Sequence, residues 1–512
     1  DALRICKEYL PARLAELQDE YDNEQLKSGA KGALSFVAQA KDWEAQGDYE
    51  RAVACYMKVV PPLTMDETLM LSCWTKAGDL AVKFLSEEQA LVVVEQVAVQ
   101  LQEIKRYSEA AELLLSANQT QQAVDVFVTA GEWGKAKKIA VELAPELAAY
   151  VDEKYKQSLR NEGKAGQLVD VDVLSGIDLY IEKGQWDRAL EIAKQQNNAA
   201  LLDKYVALYA TELISNGSFM EAVEVFEKYG AAANPSAFNI YKRLIDEVIA
   251  KSNTNTSAAY KSWASLRNML LSLVSNLQAA SADIDPRYID VFDRYLVIAH
   301  YYALRSALLK VAETEPAMKL AAMKLSVSLL RHCDLIPADK AFYEAGVACK
   351  DFGSKYESMA FVFLNHYLDL AEAIEEQNAD GIDNADLEKT DIPTEFPLPD
   401  QLYLTPEQHE DMKEWVLAVS VDKQIEKRLI TDQRGCYEAS LVALDGSVSQ
   451  PCIVTGYPVL DASKTFGTSD KVADRDDWNR LLMVHKTTKA AELDDVQKFI
   501  GSWTKTAISL AL

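Results

Sequence analysis

Gly47-Asp48-Tyr49-Glu50-Arg51-Ala52-Val53-Ala54-Cys55-Tyr56 has the composition of the second helix in a helical hairpin. Glycine permits a turn conformation that a Cβ atom would penalise, and Asp48 is suited to cap the helix that follows. Tyr49 would pack into the turn, and Ala52 would let two helix axes approach closely. The stretch therefore predicts a hairpin in which Gly47, Tyr49 and Ala52 are structural positions.

The same spacing of glycine, aromatic residue and alanine returns three times. The copies consist of Gly131, Trp133 and Ala136; Gly184, Trp186 and Ala189; and Gly217, Phe219 and Ala222. Degenerate copies without the glycine begin at Tyr107 and Thr120. The step of 33 residues from Gly184 to Gly217 is close to the period of about 34 in tetratricopeptide repeats. The pattern predicts a mostly α-helical, tetratricopeptide-like solenoid of unequal hairpins over residues 1–375.

Length and composition fit an extended soluble array. A chain of 512 residues exceeds the size at which one compact core keeps growing, and its hydrophobic and charged fractions are ordinary. No apolar run approaches the length of a membrane span, so none is predicted. Residue 1 is Asp and no signal segment follows, which we interpret as a fragment of a longer intracellular protein. Seven scattered cysteines suit a reducing compartment.

The formal net charge of −26 argues against nucleic acid as a partner, because phosphate binding needs a concentrated basic surface. Much of this charge is local. Between Asp369 and Asp411 there are fourteen acidic residues against Lys389 alone, a net charge of −13. The acidic, proline-containing part at 376–400 cannot bury enough apolar area to fold alone. It is predicted to be a linker, docked in part through Phe396 and Leu398.

The pattern changes after residue 400. Thr405-Pro406-Glu407-Gln408 opens a predicted helix with a capping residue and proline in preferred places. Residues 437–443 and 448–454 are predicted to be two strands around a turn at 444–447. Helices are then predicted at 476–485 and 492–510. Residues 401–512 are therefore expected to form a small α+β domain.

Motifs for catalysis or metal binding are not found in this sequence. It contains no glycine-rich phosphate loop, no nucleophile elbow and no histidine pair at metal spacing. No catalytic residue, metal or cofactor is predicted. Cys436 and Cys452 flank the expected hairpin, but a zinc-bound ubiquitin-ligase fold needs about eight ligands in pairs. Two alternatives stay open, a metal-free relative of that fold and a capping domain whose cysteines belong to the core.

Two stretches, 435–441 and 452–459, together with 341–344 and 367–374, resemble the C-terminal part of the intraflagellar transport protein 172 family. The resemblance implies a helical-repeat region followed by a U-box-like domain, in a peripheral subunit of the B-type intraflagellar-transport particle. It implies other transport subunits and ciliary cargo as partners. It also implies a location in the cilium or flagellum, at its base and tip, and in the cytoplasm.

The U-box-like part of the resemblance implies contact with ubiquitin or a ubiquitin-conjugating enzyme. By position, the contacting residues would be Pro451, Ile453, Tyr457 and Pro458. Three functions stay open: a non-enzymatic scaffold, a scaffold that also has weak ubiquitin ligase activity, and a coat-like vesicle-trafficking scaffold. The last would share the helical repeats but not the stretch at 435–459.

Overall fold

A computed structural model describes residues 5–6, 9–61, 63–251, 257–280, 284–378, 381–422, 428–467 and 469–511. The chain divides into two compact units, Asp1–Ala189 and Leu190–Leu512. Helix follows helix through most of both units, so the predicted mostly α-helical repeat fold is confirmed. The predicted division at residues 375 and 400, and the U-box-like character of 401–512, stay predictions.

The first unit consists of antiparallel helices in which each packs against the next along the chain. Their buried apolar faces form a continuous core from Ala33 to Val151 and a smaller one around Leu168. The helices are α1 (Leu14–Leu26), α2 (Ala30–Ala45), α3 (Tyr49–Met57), α4 (Glu67–Phe84), α5 (Glu87–Glu103), α6 (Tyr107–Ser116), α7 (Thr120–Ala130), α8 (Trp133–Leu143), α9 (Ala148–Asn161), α10 (Ala165–Val171) and α11 (Val173–Glu182).

One turn geometry recurs at all four glycine copies. The glycines have φ between +68° and +78°, and the N–H of the next residue donates to the carbonyl five positions earlier at 2.9–3.0 Å. This is the helix-ending arrangement that a left-handed residue makes possible. In the two degenerate copies, Lys105 and Asn118 take the left-handed position with φ of 59° and 57°. The turn is therefore a property of the repeat, and glycine is only its least strained occupant.

The side chains of the repeat occupy distinct environments. The Asp48 carboxylate accepts from the Arg51 N–H at 3.4 Å and so caps α3. Tyr49 stacks on Phe84 with ring centroids 3.9 Å apart. The four repeat alanines are fully buried, Trp186 is buried, and Tyr49, Trp133 and Phe219 are half-buried. The small residues thus lie where helices approach most closely, and the aromatic residues lie at the edge of each contact.

Replacing Ala52 with leucine is expected to lower the free energy of unfolding by roughly 1–3 kcal/mol, because a fully buried, close-packed site must then accept three more carbon atoms. Ala54→Leu is the matched control, since Ala54 is exposed on the same helix. Urea unfolding followed by circular dichroism compares the two variants. Equal midpoints for both would contradict the assignment of Ala52 to a helix crossing.

The second unit contains longer helices. The unit boundary falls within α12 (Trp186–Gln195). The others are α13 (Ala199–Ser215), α14 (Phe219–Tyr229), α15 (Phe238–Lys251), α16 (Ser257–Ala279), α17 (Pro286–Ala312), α18 (Ala317–Leu329), α19 (Ala338–Phe352), α20 (Glu357–Glu376), α21 (Pro406–Val421), α22 (Arg475–Thr488) and α23 (Ala491–Thr504). Helices α16 and α17 pack along each other, and their Trp263 and Tyr302 rings stack at 4.2 Å.

The prediction of two strands at 437–443 and 448–454 is wrong. These segments contain isolated bridges, including Val442 with Val448, and the described strands are β1 (Ser463–Thr465) and β2 (Val472–Asp474), an antiparallel pair. Next to the turn the segments do pair, because the Ala443 and Ser449 N–H groups donate to the Ser447 and Leu441 carbonyls at 2.9 and 2.8 Å. Side chains bond adjacent backbone groups. Arg434 Nη2 donates to the Ser440 carbonyl at 2.6 Å, and Asp391 accepts from the Leu441 N–H at 2.8 Å. The two segments therefore pair only beside their turn, and polar side chains hold the backbone next to it.

Two helix predictions near the C-terminus have different outcomes. The predicted start at Thr405 is confirmed, because its hydroxyl and the Gln408 side chain form a reciprocal capping box. The predicted helix at 492–510 ends early, at Thr504, since Lys505 adopts a left-handed φ of 53°. The chain then turns back, and the Trp478 indole N–H donates to the Ser509 carbonyl at 2.8 Å.

The described residues of the acidic segment 376–400 lie against the helices of their own unit. Leu387 and Ile392 are buried, whereas Phe396 and Leu398, the predicted anchors, are half-buried. The Asp383 carbonyl lies 3.1 Å from Nδ1 of the buried His366. The buried side chains of Leu387 and Ile392 are therefore the main apolar anchors of this segment. Its composition is otherwise that of a linker.

Three further observations concern the described part of the chain. None of its helices combines the length and apolar character needed to cross a membrane. All seven cysteines are buried with free thiols. No three histidine, cysteine, aspartate or glutamate side chains converge as a metal ion would require within those residues.

Candidate functional site: the docked loop at residues 451–459

The loop that carries the four predicted contact residues is a tight, closed turn. The Cys452 N–H donates to the Tyr457 carbonyl at 2.8 Å, and the Gly456 N–H donates to the Cys452 carbonyl at 2.7 Å. Pro451 and Pro458 form a bridge at its base, and the Ile453 N–H donates to the Val472 carbonyl at 2.9 Å. The loop is thus held at both ends and tied to β2.

The Cys452 thiol organises the inside of this turn. Its sulfur accepts from the backbone N–H groups of Val454 at 3.4 Å and Asp474 at 3.2 Å. Burial raises the pKa of the thiol, so the neutral form predominates and it is not an activated nucleophile. Cys452 therefore has a structural role, which fits the interpretation that the two cysteines belong to the core.

Three backbone carbonyls of the loop accept hydrogen bonds from side chains of the helical region. His300 Nε2 on α17 lies 2.9 Å from the Ile453 carbonyl. Ser328 Oγ on α18 donates to the Thr455 carbonyl at 3.0 Å, and Arg331 Nη2 donates to the Gly456 carbonyl. Because carbonyl oxygens that are buried without a partner are costly, these three donors fix the loop against α17 and α18.

Gly456 is required at this contact for two reasons. Its φ is +73°, and a Cβ atom built on it would lie 2.5 Å from the Ser328 side chain and 3.2 Å from the Tyr301 ring. Left-handed backbone and close packing therefore coincide at one residue. The loop can approach α17 and α18 this closely only with glycine at this position.

The Tyr457 side chain completes the contact. Its hydroxyl donates to Glu438 at 3.1 Å, and Lys324 Nζ lies 5.1 Å from the ring centroid. Burial raises the pKa of Glu438. Tyr457 is only 7% exposed. Its hydroxyl and the face of its ring both contact groups of the same chain.

His300 is neutral in this environment. Burial, reinforced by the nearby Arg267 charge, lowers the pKa of His300 to about 3. A carbonyl can only accept, so Nε2 carries the proton and donates to the Ile453 carbonyl. The docked loop thus depends on an uncharged imidazole.

Acidification is expected to weaken the fold through His300. The unfolded histidine binds a proton below about pH 6.5 whereas the folded one stays neutral, so stability falls as the pH drops from 6.5 towards 3. Between pH 6.5 and 5 the loss is about 2 kcal/mol. His300→Gln keeps a donor that never becomes charged and should remove that part of the pH dependence of urea unfolding. His485→Gln, half-buried on α22, is the control, and identical pH slopes in all three proteins would refute the assignment.

A second contact fastens the last helix to the same region. Arg267 on α16 is fully buried, donates to Asp495 at 2.8 Å and lies 4.1 Å from the Phe499 ring centroid. The Tyr260 hydroxyl lies 2.6 Å from the same Asp495 carboxylate. Arg267 of α16, a cation buried away from water, therefore holds helix α23.

The four residues predicted to contact ubiquitin or a conjugating enzyme lie together in this turn but do not share one exposed face. Pro451 is exposed and Pro458 is half-buried, whereas Ile453 and Tyr457 are 4% and 7% exposed. The last two are therefore buried within their own chain. Contact with a partner through all four residues therefore requires the loop to leave α17 and α18.

The residues that hold the loop were not predicted from the sequence. His300 and Ile453 are 153 positions apart, and Ser328 and Thr455 are 127 apart. A local pattern cannot join such distant positions. The one available signal is that His300 lies on the apolar face of a long helix, where a buried polar group needs a partner.

Comparison with known proteins finds relatives that match almost the whole chain. No family model matches the chain. A human relative, "Intraflagellar transport protein 172 homolog", is 47% identical over 504 residues, which is 98% of this chain. This chain is homologous to intraflagellar transport protein 172. The resemblance based on residues 341–344, 367–374, 435–441 and 452–459 is therefore confirmed.

Other intraflagellar transport relatives match over nearly the same length. "Intraflagellar transport protein osm-1" of Caenorhabditis elegans is 43% identical over the whole chain, and "Intraflagellar transport protein 172" of Chlamydomonas reinhardtii is 31% identical over 94% of it. The chain spans 28–29% of the length of the three relatives. Among solved structures, a circular tandem repeat protein covers 83% of this chain and 93% of its own, at 14% identity and a TM-score of 0.13, a likeness that supports no inference.

Proposed function

We propose that this chain serves in a scaffold subunit of the intraflagellar-transport train, needed for cilium assembly, with helical hairpins that bind other transport subunits and ciliary cargo. The observation that carries the proposal is the 47% identity over 98% of the chain to a protein named for that process. Stacked helical hairpins provide long binding surfaces without a catalytic pocket. The expected location is the cilium or flagellum, its base and tip, and the cytoplasm.

The scaffold proposal is tested by binding to purified subunits of the B-type particle. The whole chain is immobilised and each subunit is titrated over it at physiological salt. Saturable binding of at least one subunit is expected. An unrelated acidic helical-repeat protein is the control, because a net charge of −26 attracts basic proteins without specificity. Binding no stronger than that control for every subunit would contradict the proposal.

We propose as a second candidate that residues 401–512 bind ubiquitin or a conjugating enzyme through the loop at 451–459. The turn geometry supports it, because Pro451 and Pro458 lie side by side at its base. The burial of Ile453 and Tyr457 adds a condition, namely that binding competes with the contacts to α17 and α18. Weak ubiquitin ligase activity would follow only if a bound conjugating enzyme discharges its ubiquitin.

This second proposal is tested by loosening the loop within the whole chain. The double variant His300→Ala/Arg331→Ala removes two of the three donors to the loop. It should bind ubiquitin or a conjugating enzyme more tightly than the original chain, in calorimetric titrations against each. The control double variant Arg475→Ala/His485→Ala removes the same two residue types from α22, away from the loop. If no variant binds, the interpretation of 401–512 as a structural cap remains. If a conjugating enzyme binds but does not discharge its ubiquitin, ligase activity is excluded.

A further inference from the structure

A groove of about 420 Å³ lies between α13, α14, the first turn of α15 and the segment 230–237 that joins the last two helices. Its volume is within the range of small-ligand sites in proteins, roughly 300–1,000 Å³. The groove is open to solvent, and Leu208 in its lining is 48% exposed. The docked loop takes no part in it. The chain thus has a second candidate binding surface within the unit Leu190–Leu512.

The deepest part of the groove is apolar and held in place. Phe226 and Tyr241 lie edge to face with ring centroids 5.0 Å apart, and they are 2% and 1% exposed. The Tyr241 hydroxyl donates to the Ala232 carbonyl at 3.1 Å and so ties the joining segment to α15. An aliphatic chain laid over these rings and the half-buried Ala207 and Ile240 would remove apolar surface from water.

Three uncharged polar side chains of the lining are already bonded within the chain. The Thr211 hydroxyl donates to the Ala207 carbonyl at 2.7 Å. The Ser236 hydroxyl donates to Asn234 Oδ1 at 2.9 Å, and the same oxygen accepts from the Ser236 N–H at 3.1 Å. All three residues are exposed, so they do not require a ligand as a partner.

The Asp203 carboxylate differs from these groups because it is unpaired. Asp203 lines the groove and is half-buried. Among the described residues its carboxylate has no hydrogen-bond or ion-pair partner, and burial raises the pKa of this group. Lys204 also belongs to the lining, but its Nζ lies 5.4 Å from the centroid of the Tyr205 ring, which is outside the groove. An incoming cation would therefore meet an incompletely solvated acceptor.

Charge and shape together select the occupant. A carboxylate beside an apolar surface attracts a cation that carries an aliphatic stem, and the net charge of −26 draws basic proteins towards the chain. The exposed Leu208 extends the apolar surface beyond the groove, which fits a side chain that belongs to a larger body. We propose that this groove binds a basic side chain of a partner protein, with its stem against Phe226 and Tyr241 and its charged group on Asp203. This inference rests on the scaffold function proposed above.

Blocked amino acids test the chemistry of the groove in the whole chain. The probes are the Nα-acetyl N-methylamides of lysine and arginine, and the norleucine derivative, which keeps an aliphatic stem but has no charge. Binding is followed through the isoleucine methyl resonances, with the Ile240 signal assigned by Ile240→Val. At least one basic probe should shift this signal to saturation and bind about tenfold tighter than the norleucine derivative. No shift with either basic probe, or equal binding of norleucine, would overturn the proposal.

Two variants on α13 locate the site. Asp203→Asn keeps the shape of the side chain and removes its charge, and it should weaken binding of the basic probes about tenfold. Its thermal midpoint should not fall, because the carboxylate has no partner among the described residues. Glu212→Gln removes one charge from an exposed position of the same helix and should leave binding unchanged. Undiminished binding by the Asp203→Asn chain would place the probes elsewhere and refute the site.

The same two variants test the partner. Each subunit that binds the whole chain in the scaffold assay is titrated over both, and at least one should bind Asp203→Asn about tenfold more weakly than Glu212→Gln. Equal binding of every subunit by both variants would overturn the assignment to a partner protein, and a groove that still binds the basic probes would then be a site for free amines. If no subunit binds at all, the scaffold proposal fails and the partner assigned here fails with it. The probe titrations still decide the chemistry of the groove in that case.

Discussion

Exchange of Asp495 for alanine is expected to release helix α23 from the helical region. Arg267 is fully buried and donates to this carboxylate, so its removal leaves a desolvated guanidinium without its charge partner. Breaking a buried pair in this way costs roughly 3–5 kcal/mol, although Asp495 is partly exposed and the lower value is expected. Hydrogen exchange of the α23 amides should therefore accelerate about a hundredfold.

Two further variants test this explanation. Asp494→Ala removes the neighbouring carboxylate, which pairs with Lys498 on the surface and should change stability by less than about 1 kcal/mol. Arg267→Met/Asp495→Leu removes both charges and should recover most of the lost protection, because no buried charge is left. Equal exchange rates in the Asp494 and Asp495 variants would show that Arg267 finds other compensation.

A single methyl group at residue 456 should displace the docked loop. Gly456→Ala adds a Cβ atom 2.5 Å from the Ser328 side chain at a residue whose φ is +73°. The left-handed backbone costs about 1–2 kcal/mol and overpacking about 1–3 kcal/mol more. The amides of Cys452 and Gly456, protected by the turn in the original chain, should exchange at least tenfold faster.

Gly446→Ala is the matched control for this change. Gly446 has φ of +83°, and a Cβ atom added to it would meet no other atom within 4 Å, so only the backbone cost applies. The difference between the two variants isolates the packing against Ser328. If both variants lose the same protection, the loop is not held by close approach to α18.

The sequence predicts the local features of this fold well, as the repeat turns illustrate. The turn at Gly47 depends on residues from Trp43 to Arg51, and a short pattern contains all of them. The capping box at Thr405 is local in the same way. Residue propensities and spacing are sufficient to predict a structural feature whose interacting groups lie within one or two helical turns of each other.

The strands and the candidate site could not be predicted in this way. Residues 437–454 pair across the predicted turn only between 441–443 and 447–449. Distant side chains such as Asp391 bond other backbone groups there, which local periodicity cannot indicate. The structure brings Pro451, Ile453, Tyr457 and Pro458 together in one tight turn, the loop at 451–459. The burial of this loop against His300 and Ser328 depends on contacts between residues more than a hundred positions apart. The sequence alone therefore did not show that Ile453 and Tyr457 are buried.

The hydrogen bond between His300 and Ile453 also has a consequence for synthesis of the chain on the ribosome. Ile453 is made 153 residues after His300, a delay of roughly 10–30 s at ordinary elongation rates. During this interval the apolar faces of α17 and α18 lack the loop that later covers them. Nascent chains stalled between residues 335 and 450 should therefore recruit chaperones at this region, and completion of the loop should release them.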